Sequence, residues 1–315
     1  FGEQNITYKC CSNFLIHLLK RILKILFKIN ILFFLFTNMV FAAMPPSGQL
    51  NNNFSEAAGG NRSYFVTLPK NYTPLKKYKL VLVFAGTDTT GKEMKDWFGQ
   101  GWSSSVHGLE KNMSDTIFIY PDQKWRWGVD KGWALGPNGG DFSGNHDIKF
   151  TEELLSLVKR NYSIDSTRIF VTGHSWGGDM AAVVGCSLGD QFKAIAPVAA
   201  NSPYWFYDDD NNAVKCKGNP AVWTVYGLAD DFFGTKSPNG LFGKEQNTFW
   251  LDNHKCKTSL TKKLSNETIE YTQCQVAPVR LTLYQLGQYS GGGSLKGHYP
   301  PDYFLKDVSR WFASF

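Results

Sequence analysis

The fold of this chain is decided by the stretch Arg168-Ile-Phe-Val-Thr-Gly-His-Ser-Trp-Gly-Gly-Asp-Met180. Its residues 169–172 are β-branched and aromatic, which is typical of a buried strand. From Ala181 the residues become small and apolar, which predicts a helix packed closely on a sheet. The turn between them is Gly173-His-Ser-Trp-Gly177, a G-x-S-x-G motif. This strand, turn and helix together predict that Ser175 is a nucleophile.

The spacing of the motif has a steric reason. A serine on a sharp strand-to-helix turn has a strained backbone, and the residues two positions away must be small for the turn to close. Such a turn presents the Ser175 hydroxyl above the sheet. It also puts the amide of Trp176 at a helix N-terminus, where the amide can face a developing oxyanion. The alternative interpretation is a structural turn whose serine only caps the helix.

The remaining sequence predicts an α/β fold. Apolar strand-like segments alternate with segments of helical spacing, which implies a mostly parallel central sheet with helices on both faces, as in an α/β-hydrolase fold. We see no internal repeat and no second core, so we expect a single domain. The predicted strands are 62–68, 78–84, 114–120, 169–172, 192–200, 221–226 and 279–285, and the clearest helical patterns are 147–161 and 302–314.

The N-terminal segment has the features of a secretory leader. Basic residues at 20–28 are followed by an apolar run at 29–41 and small residues, which predicts a signal peptide cleaved after Ala42; a membrane anchor is the alternative. The formal net charge is +6, and it falls to +2 without residues 1–42, a balance that does not indicate nucleic-acid binding. We therefore expect a leader at 1–42, a flexible lead-in at 43–60 and a single α/β domain at 61–315. The mature chain would be secreted, extracellular, monomeric and free of membrane contact.

The cysteines are consistent with secretion. Four of them follow the leader, and we expect the disulfides Cys186–Cys216 and Cys256–Cys274 because each pair is nearest in sequence. No C-x-x-C or closely spaced histidine partner is present, so neither a metal site nor an organic cofactor is implied. Six N-x-S/T sequons permit glycosylation; they begin at Asn53, Asn61, Asn71, Asn112, Asn161 and Asn266.

A serine hydroxyl needs a base to take its proton and an acid to orient that base. In an α/β-hydrolase the chain order is Ser, Asp or Glu, and then His. Asp230 follows the strand at 221–226 and a glycine turn, so it is the predicted acid, with Asp231 as the alternative. His298 follows the last strand and a glycine-rich loop at 291–297, and it is the predicted base.

The remaining candidates are weighed by position in the chain. The loop after the strand at 78–84 predicts Thr87 as a second oxyanion donor beside Trp176. Of the other histidines, His174 is interpreted as packing beneath the turn and His254 as lying on the surface. Aromatic side chains in the predicted loops can stack on a phenolic ring or a sugar, or can fill the core under long loops. The candidates for substrate binding are Trp97, Trp102, Trp133, Tyr204 and Trp205.

Taken together, these residues resemble carbohydrate esterase family 1, which contains secreted feruloyl esterases and poly(3-hydroxybutyrate) depolymerase-like esterases. The resemblance extends from about Asn61 to the C-terminus and implies a triad of Ser175, Asp230 and His298. The chain departs from the family at Ala85-Gly86, where the family usually has His-Gly. The matching stretches are 62–72, 118–121, 147–150, 162–168, 173–178, Gly227-Leu-Ala-Asp230 and Gly297-His-Tyr-Pro300.

The resemblance implies a secreted serine esterase that hydrolyses feruloyl or other hydroxycinnamoyl esters on plant cell-wall arabinoxylan through an acyl-enzyme. An acetylxylan esterase or a polyhydroxyalkanoate depolymerase with the same triad is the alternative. A noncatalytic carbohydrate-binding protein on a hydrolase scaffold is a third hypothesis, from a different functional class.

Overall fold

The computed structural model describes residues 17–26 and 44–315 of the chain. The described residues divide between two units, with residues 17–26 and Met44 in the first and Pro45–Phe315 in the second. In the first unit, residues 17–26 form helix α1. The predicted apolar run at 29–41 and the cleavage site at Ala42 lie outside the described residues. Within the described ranges, no helix is long and apolar enough to cross a membrane.

The second unit contains twelve strands and six further α-helices. The strands are β1 (Gly48–Asn53), β2 (Asn61–Thr67), β3 (Tyr78–Phe84), β4 (Thr116–Pro121), β5 (Trp125–Trp127), β6 (Asp130–Gly132), β7 (Ile164–His174), β8 (Ala194–Val198), β9 (Ala221–Gly227), β10 (Thr261–Lys263), β11 (Thr268–Tyr271) and β12 (Val279–Tyr284). The helices are α2 (Gly91–Met94), α3 (Leu109–Asn112), α4 (His146–Asn161), α5 (Trp176–Ser187), α6 (Leu241–Asn253) and α7 (Phe304–Ala313).

Ten of these strands form one twisted sheet in the order β1-β2-β4-β3-β7-β8-β9-β12-β11-β10. The six central strands, from β4 to β12, pair in parallel. The two strands at each edge pair antiparallel. Strands β5 and β6 form a separate hairpin. The predicted α/β class with a mostly parallel sheet is confirmed.

Helices cover both faces of the sheet because the central strands are apolar on both faces. In β3, Leu80 and Leu82 pack with α4, α5 and α6 on one face. Val81 and Val83 pack with α2, α3 and α7 on the other face. All seven residues of β3 are buried, as the continuous apolar run predicts. The carboxyl ends of the parallel strands consequently open at a single edge, where the loops carry the candidate site.

The expectation of a flexible lead-in at 43–60 is wrong for most of that segment. Residues 48–53 form the edge strand β1, which pairs with β2 along its whole length. After it, Ser55 caps a 3-10 turn and binds Glu153 of α4 through its hydroxyl at 2.6 Å. Polar composition alone misled the prediction, because an edge strand with no fully buried position can be polar at most of its residues, as β1 is at Gln49 and at 51–53.

Candidate active site

Ser175 lies on the sharp turn between β7 and α5. Its backbone angles are φ 57° and ψ −124°, a conformation that costs energy for any residue with a side chain. The turn closes because Gly177 has no side chain, since a Cβ there would collide with the carbonyl oxygen of Phe84. The Ser175 amide donates to the carbonyl of Val198 at 2.9 Å, which holds the turn on β8.

His298 and Asp230 meet above the carboxyl end of the sheet. The Nδ1 atom of His298 lies 2.8 Å from Oδ2 of Asp230, and both side chains are buried. The other carboxylate oxygen of Asp230 accepts the amides of Phe232 and Phe233 at 3.0 Å each. The ring of Phe232 stacks on the His298 imidazole, with centroids 4.8 Å apart. These contacts fix one orientation of the imidazole and bind its Nδ1 atom to a carboxylate.

Asp231 binds the backbone of the histidine loop and not the imidazole. Its Oδ1 atom accepts the amides of Gly297 and His298 at 3.1 Å each. Gly297 is required here because a Cβ would collide with the carbonyl oxygen of Ala229. The alternative acid of the sequence analysis is therefore a second anchor for the loop that carries His298.

His174 connects the serine turn to the same loop. Its Nε2 atom donates to the carbonyl oxygen of His298 at 2.9 Å, and the hydroxyl of Tyr284 donates to that oxygen at 3.3 Å. Burial lowers the pKa of His174 well below 6.5, and the neighbouring His298 lowers that pKa further. His174 is thus a neutral donor, buried beneath the turn as the sequence predicted.

The loop after β3 lies against the serine turn. The side-chain amide of Gln123 donates to the carbonyls of Ala85 and Gly86, and the indole of Trp133 donates to Ala85 at 2.8 Å. Within residues 44–315, the amide of Thr87 donates to no other group. The amide of Trp176 is in the first turn of α5, where amides have no partner inside the helix. Two donors of the type that an oxyanion hole needs are thus present in the two expected loops.

Ser175, His298 and Thr87 line one cavity of about 430 Å³. Four aromatic side chains, those of Trp97, Phe232, Tyr289 and Tyr299, contribute to its wall. Trp97 donates its indole N–H to the hydroxyl of Tyr289 at 3.1 Å. The other apolar lining side chains are Phe232, Leu295 and Tyr299, and residues 291–293 of the glycine-rich loop complete the wall.

The aromatic candidates for substrate binding divide into two groups. Trp97 lines the cavity, and Trp102 packs behind it, with ring centroids 6.0 Å apart. The prediction that Trp133 binds substrate is wrong, because this residue is fully buried. The prediction that Tyr204 and Trp205 belong to this site is wrong, because they line two other cavities. Trp133 and Trp205 follow the second interpretation and are buried in the core, and the half-buried Tyr204 packs against the same core.

Sequence reasoning missed Phe232, Tyr289 and Tyr299 as cavity residues. A signal was available, since Phe232 follows the two predicted acid candidates and Tyr299 follows the predicted base. Tyr289 lies at the start of the glycine-rich loop. Of the four tryptophans predicted to bind substrate, Trp133 and Trp205 are buried.

Both disulfides form as predicted, Cys186–Cys216 at the end of α5 and Cys256–Cys274 beside α6. His254 was predicted on the surface and is instead fully buried. Its Nδ1 atom lies 3.1 Å from the carbonyl oxygen of Ala277. The sequence around His254 is polar and does not indicate burial. The end of α6 is covered by residues that follow it in the chain, such as Ala277.

A family model described as a putative esterase matches residues 55–276, which is most of the chain. The chain belongs to this esterase family. This match confirms the expectation of an esterase. The predicted resemblance to carbohydrate esterase family 1 is confirmed at that level.

The relatives of this chain include proteins named as feruloyl esterases and as an acetylxylan esterase. This chain is 32% identical over 136 residues to the probable feruloyl esterase C of Aspergillus clavatus. The aligned part is 43% of the chain and 44% of the relative. The chain is 27% identical over 148 residues to feruloyl esterase C of Emericella nidulans, which covers 47% and 48%. The chain thus spans about half the length of these curated relatives. A bifunctional acetylxylan esterase/xylanase of Neocallimastix patriciarum is 22% identical over 226 residues, or 66% of the chain and 30% of the relative.

A solved structure, the acetyl xylan esterase from Aspergillus awamori, has the same fold. Its TM-score is 0.58 at 15% identity, over 84% of this chain and 99% of the other. The predicted α/β-hydrolase fold is confirmed.

Proposed function

We propose that this chain is a secreted serine esterase that hydrolyses feruloyl or related hydroxycinnamoyl esters of plant cell-wall arabinoxylan. The observation that carries the proposal is the His298–Asp230 pair, at 2.8 Å, bordering an aromatic cavity that Ser175 shares. This arrangement is what an ester hydrolysis by acyl-enzyme needs. The names of the fungal relatives support the same substrate class.

The proposed reaction has two halves. His298 takes the proton of Ser175 as the hydroxyl oxygen attacks the ester carbonyl, and the amides of Thr87 and Trp176 donate to the resulting oxyanion. Collapse breaks the bond to the sugar oxygen, which leaves as an alcohol with the proton from His298. Water, deprotonated by His298, then attacks the acyl-serine. Ser175 regains its proton and the free hydroxycinnamic acid departs.

The volume and the lining of the cavity favour a substrate with an aromatic acyl group over one with an acetyl group. An acetyl group has two carbon atoms and would leave most of the 430 Å³ space unfilled. A hydroxycinnamoyl group brings a phenolic ring that can pack on Trp97 and Tyr299, and such aromatic pairs add about 0.5–1.5 kcal/mol each beyond the area they bury. The Tyr289 hydroxyl, bound to Trp97, offers a polar partner for the ring substituents.

Secretion is part of the proposal. Two disulfides in one domain are typical of an oxidising compartment. All six sequon asparagines are exposed, as glycosylation would require. A polymeric plant cell-wall substrate also lies outside the cell that uses it.

The first test is turnover of methyl ferulate, p-nitrophenyl acetate and acetylated xylan by the wild type and by Ser175→Ala. We expect ferulate release by the wild type and a loss of at least about 10³-fold in the variant, since the variant has no nucleophile. Release of acetate without ferulate would instead favour the acetylxylan esterase. Turnover of no ester, with no labelling of Ser175 by a fluorophosphonate, would favour the noncatalytic hypothesis.

A second prediction concerns the acyl group. Trp97→Ala should lower kcat/KM for methyl ferulate about 10-fold more than that for p-nitrophenyl acetate, because only the aromatic acyl group loses packing surface, whereas any shift of His174, which also packs on Trp97, affects both esters. Tyr204→Ala, which removes an aromatic ring from a different cavity, is the matched control and should leave the ratio of the two substrates unchanged. An equal loss for both esters in Trp97→Ala would contradict an acyl pocket at this wall.

A further inference from the structure

The peptide groups at His298 are held on both sides by side chains from three different elements. On the amide side, Asp231 accepts the N–H groups of Gly297 and His298 at 3.1 Å. On the carbonyl side, His174 and Tyr284 donate to the same oxygen, at 2.9 and 3.3 Å. His174, Tyr284 and the backbone they bind are buried, so these bonds are shielded from competing water.

His174 has a special place among these anchors. It is the residue directly before Ser175, so its ring moves with the strained turn that presents the nucleophile. The carbonyl that it binds belongs to His298, which is 124 positions later in the chain. The two imidazoles are perpendicular neighbours, with centroids 4.8 Å apart. One hydrogen bond therefore ties the nucleophile's turn directly to the backbone of the base.

The surroundings of His174 keep its ring in this donating position. His174 is 4% exposed. The centroid of its ring lies 4.9 Å from that of Trp97 and 6.4 Å from that of Phe98. Burial depresses the pKa of His174, so the imidazole stays neutral and the Nε2–H tautomer is selected by the carbonyl acceptor. No step of the proposed hydrolysis uses a proton from this side chain.

We propose that His174 is a positioning residue that sets the distance between Ser175 and the His298 imidazole by fixing the His298 carbonyl. This inference rests on the proposed serine-esterase function. Loss of this bond would let the histidine loop shift relative to the serine turn, while Thr87 and Trp97, which line the cavity from other loops, keep their places. Proton transfer depends steeply on the distance between donor and acceptor, so the chemical step should suffer and substrate binding should not.

The test compares His174→Leu, His174→Gln and the wild type with p-nitrophenyl acetate and methyl ferulate. His174→Leu removes the donor and should lower kcat about 10- to 100-fold with KM within about twofold. His174→Gln retains an N–H donor of similar reach and should recover most of the lost rate. Tyr284→Phe removes the second, longer bond and should lower kcat about 2- to 5-fold, which provides an independent variant that keeps the buried ring.

His254→Leu is the matched control, because it also removes a bond from a buried imidazole to a backbone carbonyl. That carbonyl, of Ala277, precedes β12, whereas His298 follows the opposite end of β12. The control should lower the melting temperature and leave kcat unchanged. Equal kcat in His174→Leu and the wild type, or equal impairment of His174→Leu and His174→Gln, would overturn the inference. Full activity of Ser175→Ala would instead overturn the proposed function itself.

Discussion

Asp230 and Asp231 are neighbours in the chain, yet their carboxylates bind different parts of the histidine loop. Asp230 binds the imidazole through one oxygen and two backbone amides through the other. Asp231 binds only backbone amides. The acid of the triad is therefore expected at Asp230, because only its carboxylate can select the imidazole tautomer that accepts a proton at Nε2.

This difference predicts unequal effects of two isosteric changes. Asp230→Asn should lower kcat by about 10³- to 10⁴-fold, since an amide must turn its NH₂ toward either the imidazole or two backbone amides. Asp231→Asn keeps an oxygen acceptor for the two loop amides and should lower kcat less than about 10-fold. Steady-state kinetics with p-nitrophenyl acetate measure both. A larger loss in Asp231→Asn would move the acid to Asp231.

At the scale of single elements, the strongly apolar segments were predictable and the polar ones were not. Strand β3 has the predicted bounds 78–84, because a run that is apolar at six of its seven positions suits a strand covered on both faces. Strand β1 was missed, since Gln49 and the asparagines of this edge strand resemble a loop. Strands β10 and β11 were missed for the same reason: β10 is exposed at all three positions, and pairing with β11 orders it.

The functional loops show the same division. The turn that carries Ser175 is encoded locally, because Gly173 and Gly177, two positions away on either side, leave the space that it needs. The glycine-rich loop before His298 has no local pattern that sets its path. Its position depends on anchors from Tyr284, Asp231 and His174, which precede His298 by 14, 67 and 124 positions.

At the scale of the whole molecule, the buried carboxyl of Asp179 couples stability to pH. Asp179 lies in the first turn of α5 and accepts the amide of Asn201 at 2.7 Å. Burial raises its pKa from an ordinary 3.8 to about 8, which the bond to Asn201 only partly offsets. In the unfolded chain the group ionises near its ordinary pKa. Its contribution to stability is therefore complete below pH 3.8 and is lost as the pH rises through about 8.

Asp179→Asn should remove this pH dependence. The variant keeps the oxygen that accepts from Asn201 and carries no ionisable proton, so its melting temperature should match the wild type near pH 4 and exceed it at pH 8 to 9. Asp210→Asn, at an exposed turn, is the control and should not change the slope. Thermal unfolding of the three proteins from pH 4 to 9 gives the comparison. A constant difference between Asp179→Asn and the wild type would contradict a neutral buried carboxyl.

The fold class, the esterase family, the two disulfide pairs and the candidates Ser175, Asp230 and His298 could all be predicted from the sequence. These features depend on short-range patterns: apolar runs, a strand–turn–helix motif, nearest cysteines and the order of loops after strands. Only the tertiary structure decided which aromatic side chains line the cavity, that Trp133 is buried, and that His174 binds the His298 carbonyl. The direction of a loop side chain depends on packing against residues more than a hundred positions away, and no local pattern encodes that packing.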